Sequence, residues 1–405
     1  MSEIQPQSLG AAAVRPLHRP VELNWKRLNL IGGVLAAIGI VGFVIALLLG
    51  RDDRVWHIYL VNFLFFIGIA QGGVVLSCGY YLTQGRWTRH AVHIRVAEAG
   101  WPFLIVGAVL FWGIFAGREH IFPWIMHPVV KKAAWLNAPF MFTRDGIALI
   151  LLAIVSAWFV SHSRGRAAML WASEPLTIEM PPTAIRRLAP LVGVLYIFLY
   201  TMLAIDLIMS LAPLWHSTLF GWWWFEMCFW SAICGSAFVA TYFRRRLGPE
   251  TAFSDQSILH DYGKLVFAFS IFWMYLSFAQ YLVIWYGDLP TETFFLILRF
   301  WHRPWEPFAW LCPMLNWVVP FFVLMGVKPK KNPVILRTVA LLGMVGVWLT
   351  DFVMVVPSLS PNHVPLGWVE LSITAGFLGI FLLCLNPGLQ LAARMATSGA
   401  GGMER

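Results

Sequence analysis

The sequence predicts an all-α, polytopic membrane protein with ten transmembrane helices, and three observations carry that prediction. The 405 residues are 59% hydrophobic and only 12% charged, more apolar surface than a soluble fold of this length can bury. Apolar windows of about 20 residues, the length that crosses about 30 Å of hydrocarbon, recur ten times. The windows are continuously apolar rather than alternating, which excludes a β-barrel, and inside lipid each must then satisfy its own backbone hydrogen bonds as a helix.

Span one, at 28–49, follows a polar, proline-containing, basic stretch without a signal-peptide pattern, so Met1 is expected to begin the mature chain. Span two, at 58–82, carries Asn62, Gln71 and the run Gly68-x-x-x-Gly72-Gly73. The glycines, with Ala70 and Ser77, make a face on which another helix can approach closely, and the expected partner is Cys234-Gly235-Ser236-Ala237 of span six. Asn62 and Gln71 stand about two and a half turns apart and do not share a face, so they read as separate interhelical contacts or channel linings. Span three, at 94–116, is entered through His93, Arg95 and Glu98, and span four, at 141–160, begins with Asp145. Span five, at 188–212, ends on Asp206-LIMSLAPL-Trp215, and span six, at 220–243, has Glu226 near its start. Span seven, at 262–286, is entered by His260, Asp261 and Lys264 and contains Tyr275, Ser277 and Gln280. Span eight covers 307–326; span nine, at 334–357, ends on Asp351-FVMVVPS-Leu359; span ten, at 366–386, opens near Glu370. The chain thus divides into a tail at 1–27, a membrane domain at 28–387 and a second tail at 388–405.

Spans five and nine close alike: an Asp, a Met three residues on, then a Pro within three or four more. Spans three and seven are both entered past a histidine. An offset of four helices keeps orientation, as in repeats related by an axis along the membrane normal. The pattern predicts two four-helix bundles, spans 2–5 and 6–9, with spans 1 and 10 peripheral, although the identity behind it is thin.

Orientation follows from Lys and Arg, because cytoplasmic loops hold the excess. Of the 29, 21 fall on the side of the termini and 8 opposite, which places both termini in the cytoplasm. The net charge of +9 is this bias, and its spread over separate short loops argues against nucleic acid. Cys78, Cys228, Cys234, Cys312 and Cys384 form no C-x-x-C, C-x-x-C-H or ferredoxin-like run, which leaves iron–sulfur, zinc and c-type haem ligation unsupported. The histidines lie in loops or at helix ends rather than facing one another at matched depth, as a b-type haem requires. The sequence therefore predicts that no metal or haem is held by this chain.

Ionisable residues at membrane depth cost a few kcal/mol unless paired or hydrated. Toward the outer face stand His57, Asp145, Asp206, Glu226, Asp351 and Glu370; toward the cytoplasmic face, His93, Arg95, Glu98, His260, Asp261 and Lys264. Between them lie neutral polar groups, among them Asn62, Gln71, Tyr275, Ser277 and Gln280. Two proton half-channels joined by amides, hydroxyls and water would read this way. Simple pairing also explains Arg95 with Glu98 and Asp261 with Lys264, each three apart on a helix, and Glu370 and Asp145 also suit helix-start dipole partners.

The run Trp56-H-I-Tyr59-L-V-Asn62-F-L-F-F-I-Gly68-I-Ala70-Q-Gly72-Gly73 resembles the second helix of the NrfD/PsrC family of quinone-interacting membrane subunits. The stretch Asp261-Y-Gly263-Lys264-L-V-Phe267-A-Phe269-S-I-F-Trp273-M-Tyr275-L-S-F-A-Gln280-Tyr281 and its continuation through Trp285, Pro290 and Glu292 is similar to the smaller, ActF-type subunits of bacterial alternative complex III. The resemblance extends over essentially all ten spans. It implies a place in the bacterial cytoplasmic membrane, inside a quinol:electron acceptor oxidoreductase that uses menaquinone or ubiquinone. The implied partners are a larger NrfD-like quinol-binding subunit, an iron–sulfur protein, multihaem and monohaem c-type cytochromes, small membrane subunits and lipid. Iron–sulfur clusters and c-type haems would then sit in those partners. Quinone-binding relatives carry a His near the position of Gln71, so the resemblance implies a proton pathway or coupling element here rather than the main quinol-oxidation site.

Phe122-PWIMHPVVKKAAWLNAP-Phe140, Trp215-HSTLFGWWW-Phe225 and Phe294-FLILRFWHRPWEPFA-Trp310 concentrate tryptophan on the outer side. Interfacial belts explain most of it, and the first and third segments also suit docking of extramembrane subunits. A structural anchor for redox partners is a rival reading. A secondary transporter is a weaker one, since no substrate-sized cluster of charge stands at the midplane.

Overall fold

The computed structural model describes residues 24–83, 91–165, 181–248 and 251–398, and these residues are helices joined by short turns, with no strand among them. The chain is a multi-pass helical membrane protein: among the described residues, eight helices are long and apolar enough to cross a membrane. The elements are α1 Trp25–Leu48, α2 Asp52–Leu82, α3 Val92–Ala116 and α4 Ala138–Ser163. They continue with α5 Thr183–Leu207, α6 Phe220–Leu247, α7 Gln256–Gly287 and α8 Pro290–Phe300. The last are α9 Glu306–Pro313, α10 Pro333–Leu359 and α11 Trp368–Ser398. Of the long helices, α6 is the one outside the eight; its tryptophans and terminal arginines lower its mean hydropathy. The expected eighth span is not one helix: α9 runs through a π-helical turn, Met314–Val318, into Val319–Val323. The last helix continues beyond the expected boundary at 387, to Ser398, while most of the N-terminal tail and residues 399–405 lie outside the described residues.

Local chemistry sets the helix ends. Asn24, Asn137, Asp255 and Asn332 each accept a backbone N–H in the first turn of α1, α4, α7 and α10. Within α3, Pro102 has no N–H to give the Glu98 carbonyl, and the chain tightens into a 3₁₀ turn at Glu98–Gly100, where Trp101 N–H donates to Glu98 O at 3.1 Å. That turn aims the Glu98 side chain inward.

The middle of the molecule is α2, which touches α3, α5, α6, α10 and α11, and α6, which touches α2, α5, α7 and α10. Around them, α3 packs on α4 and α4 on α5, while α7 and α10 both pack on the π turn. On the periphery α1 lies along α11, where a side chain on Gly39 would collide with the Gly376 backbone and one on Gly379 with Ala36 and Gly32. The glycines of α2 have the expected partner helix in a different register. Gly68 and Gly72 meet Cys228 and Ala232 of α6 rather than Cys234–Ala237, and Gly73 meets Ala97 of α3 instead.

Candidate functional site

Three groups of buried polar side chains stand out against this apolar frame. The first lies where the N-terminal part of α4 meets the C-terminal end of α5. Asp206, fully buried, occupies the last turn of α5, where the helix dipole disfavours a negative charge. Arg144 Nη2 donates to Asp206 Oδ2 at 2.5 Å, and Trp135 Nε1, from the preceding loop, donates to Oδ1 at 2.7 Å. The guanidinium sits against the faces of Trp135 and Phe140, at 3.9 and 4.7 Å from their centroids, which fixes it by cation–π attraction. Asp145 is also fully buried; Arg144 Nε lies 3.5 Å from its Oδ1, and neither oxygen accepts a hydrogen bond from a donor among the described residues. One guanidinium thus faces two carboxyls, and the charge balances when a single proton is held on the carboxyl pair.

The second group lies between α6 and α10. Trp224 Nε1 donates to Asp351 Oδ1 at 3.1 Å, so both carboxylates of the expected repeat accept an indole N–H. Among the described residues Asp351 has no counterpart of Arg144. Glu226, almost two turns into α6, is buried, and neither of its carboxyl oxygens has a hydrogen-bond partner among the described residues. Arg299 of α8 is fully buried nearby, yet it is spent on backbone: Nε donates to Val353 O at 3.0 Å and Nη2 to Met354 O at 2.7 Å. The Val353 carbonyl is available because Pro357, four residues on, has no N–H to offer it.

The third group lies at the other end of α4 and joins α2, α3 and α4. Arg95 Nη1 donates to Glu98 Oε2 at 2.8 Å, and Ser77 and Ser163 donate to Oε1 at 2.6 and 2.5 Å. Arg95 Nη2 also reaches the carbonyl and hydroxyl of Ser163, and Tyr81 closes the network at 3.0 Å from Ser163 Oγ. Arg95 and Glu98 have no exposed side-chain surface, so this is a desolvated ion pair compensated by hydroxyls. His93 Nδ1 lies 3.2 Å from the Tyr262 hydroxyl, which ties α3 to α7. The other members of the expected cytoplasmic set are separate: Asp261 and Lys264 pair at 2.5 Å with the lysine half exposed, and His260 is half-buried beside them.

The expected connecting residues divide as well. Gln71 and Ser156 exchange hydrogen bonds at 3.1 and 3.2 Å between α2 and α4. Asn62 donates to Thr374 and accepts from Trp348, both at 3.0 Å, which ties α2 to α11 and α10. Ser277 accepts from Trp223 at 2.7 Å and Gln280 from Ser217 at 3.2 Å, so both lie toward the C-terminal end of α7, away from the Arg95–Glu98 network. Tyr275 is exposed and touches none of the three groups. His57 is buried, with Nε2 at 3.1 Å from His120 O, and Asp53 lies 2.8 Å from His120 Nδ1. Glu370 forms a two-pronged pair with Arg54 at 2.8 and 2.6 Å.

Along α4 the arrangement has a direction. Asp145, Ser156 and Ser163 are spaced by eleven and seven residues, about three and two turns, so all three lie on one face. Asp145 belongs to the Arg144–Asp206 group, Ser156 holds Gln71, and Ser163 belongs to the Arg95–Glu98 network. Leu149 and Leu152 occupy the buried face between Asp145 and Ser156. Arg144, Trp135, Trp224, Tyr81, Ser163 and Arg299 were not visible as site residues in the sequence. Arg144 alone left a signal, an opposite charge beside Asp145 at membrane depth.

Among the described residues no group of three His, Cys, Asp or Glu side chains is placed to hold a metal ion. No protein-family model matches the chain, and no curated protein matches it.

Proposed function

We propose that the chain is an integral membrane subunit of a quinol-oxidising electron-transfer complex of the alternative complex III type, in which it contributes a proton pathway or coupling element rather than the main quinol-oxidation site. One observation carries this reading: a single face of α4 links two buried ionisable groups, Arg144–Asp145–Asp206 and Arg95–Glu98, through the Gln71–Ser156 pair. A proton held between Asp145 and Asp206 would be passed inward along that face, over the apolar stretch at Leu149 and Leu152 by way of water. The resemblance of α2 and α7 to NrfD-family helices supports this reading, in which the partners are a larger NrfD-like subunit that oxidises menaquinol or ubiquinol, an iron–sulfur protein and c-type cytochromes. The cytoplasmic membrane of a bacterium is the proposed location, with both termini inside.

The ten-span reading is supported by α6 and by the broken helix that begins with α9, in addition to the eight apolar helices. Two four-helix bundles, α2–α5 and α6–α10, are supported by the neighbour relations of these helices and by the paired α1 and α11 outside them. A structural anchor is the second reading, favoured by Leu149 and Leu152, which leave the path dry where no water is held.

The test is proton release and uptake per quinol oxidised in vesicles holding the intact complex, comparing wild type with Asp206→Asn and Asp351→Asn. Turnover that persists while transmembrane proton movement falls supports conduction. Turnover and proton movement both unchanged in an intact complex would leave the anchor.

A further inference from the structure

A ring-lined cavity of about 350 Å³ lies at one end of the α6–α10 half. A larger cavity, of about 460 Å³, lies where the α1–α11 pair leans on α2 and stands off from α6 and α10. Its lining residues run from Ala232 to Phe243 on α6 and from Leu378 to Leu389 on α11. Each stretch is eleven steps along a helix, about 16 Å at 1.5 Å per residue. One leaflet of a bilayer has a hydrocarbon depth of about 15 Å, so the cavity is one leaflet deep.

Asn24, Trp25 and Tyr242 stand at one end of the cavity, and deeper in Ser236 is the one polar side chain among the lining residues. Leu341 of α10 and Leu378 of α11, 46% and 39% exposed, edge a mouth that opens sideways to lipid. Drawn out over this length, the volume is too narrow for another helix of about 10–12 Å diameter and suits a single acyl chain. Left empty, the apolar wall would forgo the dispersion contacts that such a chain supplies.

The end at Asn24 is strongly basic. Lys26 and Arg27 lie in the first turn of α1, Arg245 and Arg246 in the last turn of α6, and all four are exposed. Trp25 and Phe243 meet edge to face with ring centroids 6.4 Å apart, which brings the two basic pairs to one rim. The Arg246 guanidinium stands 5.6 Å from the ring centroid of Tyr242, at the cavity's end. Arg337 of α10 lies one turn before Leu341 and adds a cation on a third side. None of these five has an ion-pair partner among the described residues. Lys26 and Arg27 also sit where the helix dipole is itself positive, which an anion offsets.

From this cavity and its rim we infer a resident anionic phospholipid, with one acyl chain between α6 and α11 and its phosphate among Lys26, Arg27, Arg245 and Arg246. A zwitterionic lipid would fill the same space, but it brings a cation of its own to a basic rim. The buried carboxyls of the proposed proton path take no part in this site, so the two ideas stand or fall separately.

The test is native mass spectrometry of the delipidated full chain in dodecyl maltoside, titrated with phosphatidylglycerol or with phosphatidylcholine of the same acyl chains. One tightly held phosphatidylglycerol is expected, with phosphatidylcholine at least about tenfold weaker, since each basic side chain at a headgroup is worth about fivefold. Arg245→Gln combined with Arg246→Gln is expected to weaken phosphatidylglycerol about tenfold or more and to leave phosphatidylcholine unchanged. Arg303→Gln, at a largely exposed arginine beyond the other end of α7, is expected to change neither. Gly235 offers a blocking variant, because a side chain there meets only those of Ile69 and Met344, the nearest atom at 3.2 Å, and then enters the cavity. Gly235→Leu is expected to remove the tightly held lipid. If Gly235→Leu lowers the thermal midpoint, the arginine pair decides. Equal retention of the two lipids, a preference for phosphatidylglycerol that the arginine pair leaves intact, or full binding to a stable Gly235→Leu chain would each overturn the inference.

Discussion

At the scale of single residues, what matters for a buried charge is the number of groups left to satisfy it. Glu98 accepts from Arg95, Ser77 and Ser163, and nothing at this carboxylate is left over. Asp145 and Glu226 are also buried, yet their carboxyl oxygens accept no hydrogen bond among the described residues, and such groups are stable only with a proton or a change of surroundings. That contrast separates a holding site from a handling site. Arg95→Met strands Glu98 and is expected to cost about 3–5 kcal/mol of stability. Asp261→Asn, in the half-exposed pair with Lys264, is expected to cost at most about 1 kcal/mol. Thermal unfolding in one detergent checks both, and equal losses would contradict the distinction.

Between helices, close approach and polar ties do different work. Along α1 and α11 the backbones meet at Gly39 and Gly376, where dispersion is gained only because no side chain intervenes. Gly39→Leu forces the pair apart and is expected to cost about 1–3 kcal/mol, read as a lower unfolding midpoint. The neighbouring Gly33 has open space around its α-carbon, so Gly33→Leu should leave the midpoint within error. In α2, Asn62 and Gln71 point to different partners, and so fix the rotation of this helix against three others.

For the whole molecule, the predicted observables are sidedness and company. A fluorescent protein fused to either terminus should fold in the cytoplasm, and alkaline phosphatase fused to the C-terminus should be inactive, because 21 of the 29 basic residues lie on the terminal side. An affinity-tagged chain drawn from a mild detergent extract of its native membrane should bring a c-type haem spectrum with it. Active phosphatase would reverse the orientation, and a haem-free preparation of the intact chain would remove the proposed complex.

The sequence by itself determined the solvent and the length scale. Apolar runs of transmembrane length leave few alternatives to helices in a bilayer, and charges at depth are conspicuous because lipid makes them expensive. Asp206, Asp351, Arg95 and Glu98 were legible for that reason, as was the approach of Gly68 and Gly72 to α6, though not its register at Cys228 and Ala232 nor the packing of Gly73 on α3. Only the tertiary structure decided which groups meet. Asp145 joined Asp206 through an arginine in the adjacent position, Glu98 gathered hydroxyls from two other helices, and one end of the α6–α10 half enclosed a ring-lined cavity. The physical reason is the medium. In water, a helix advertises its inward face by an apolar stripe, but lipid and protein interior are equally apolar, so a membrane helix carries almost no such stripe, and its rotation is set by small residues and polar ties that appear only on contact.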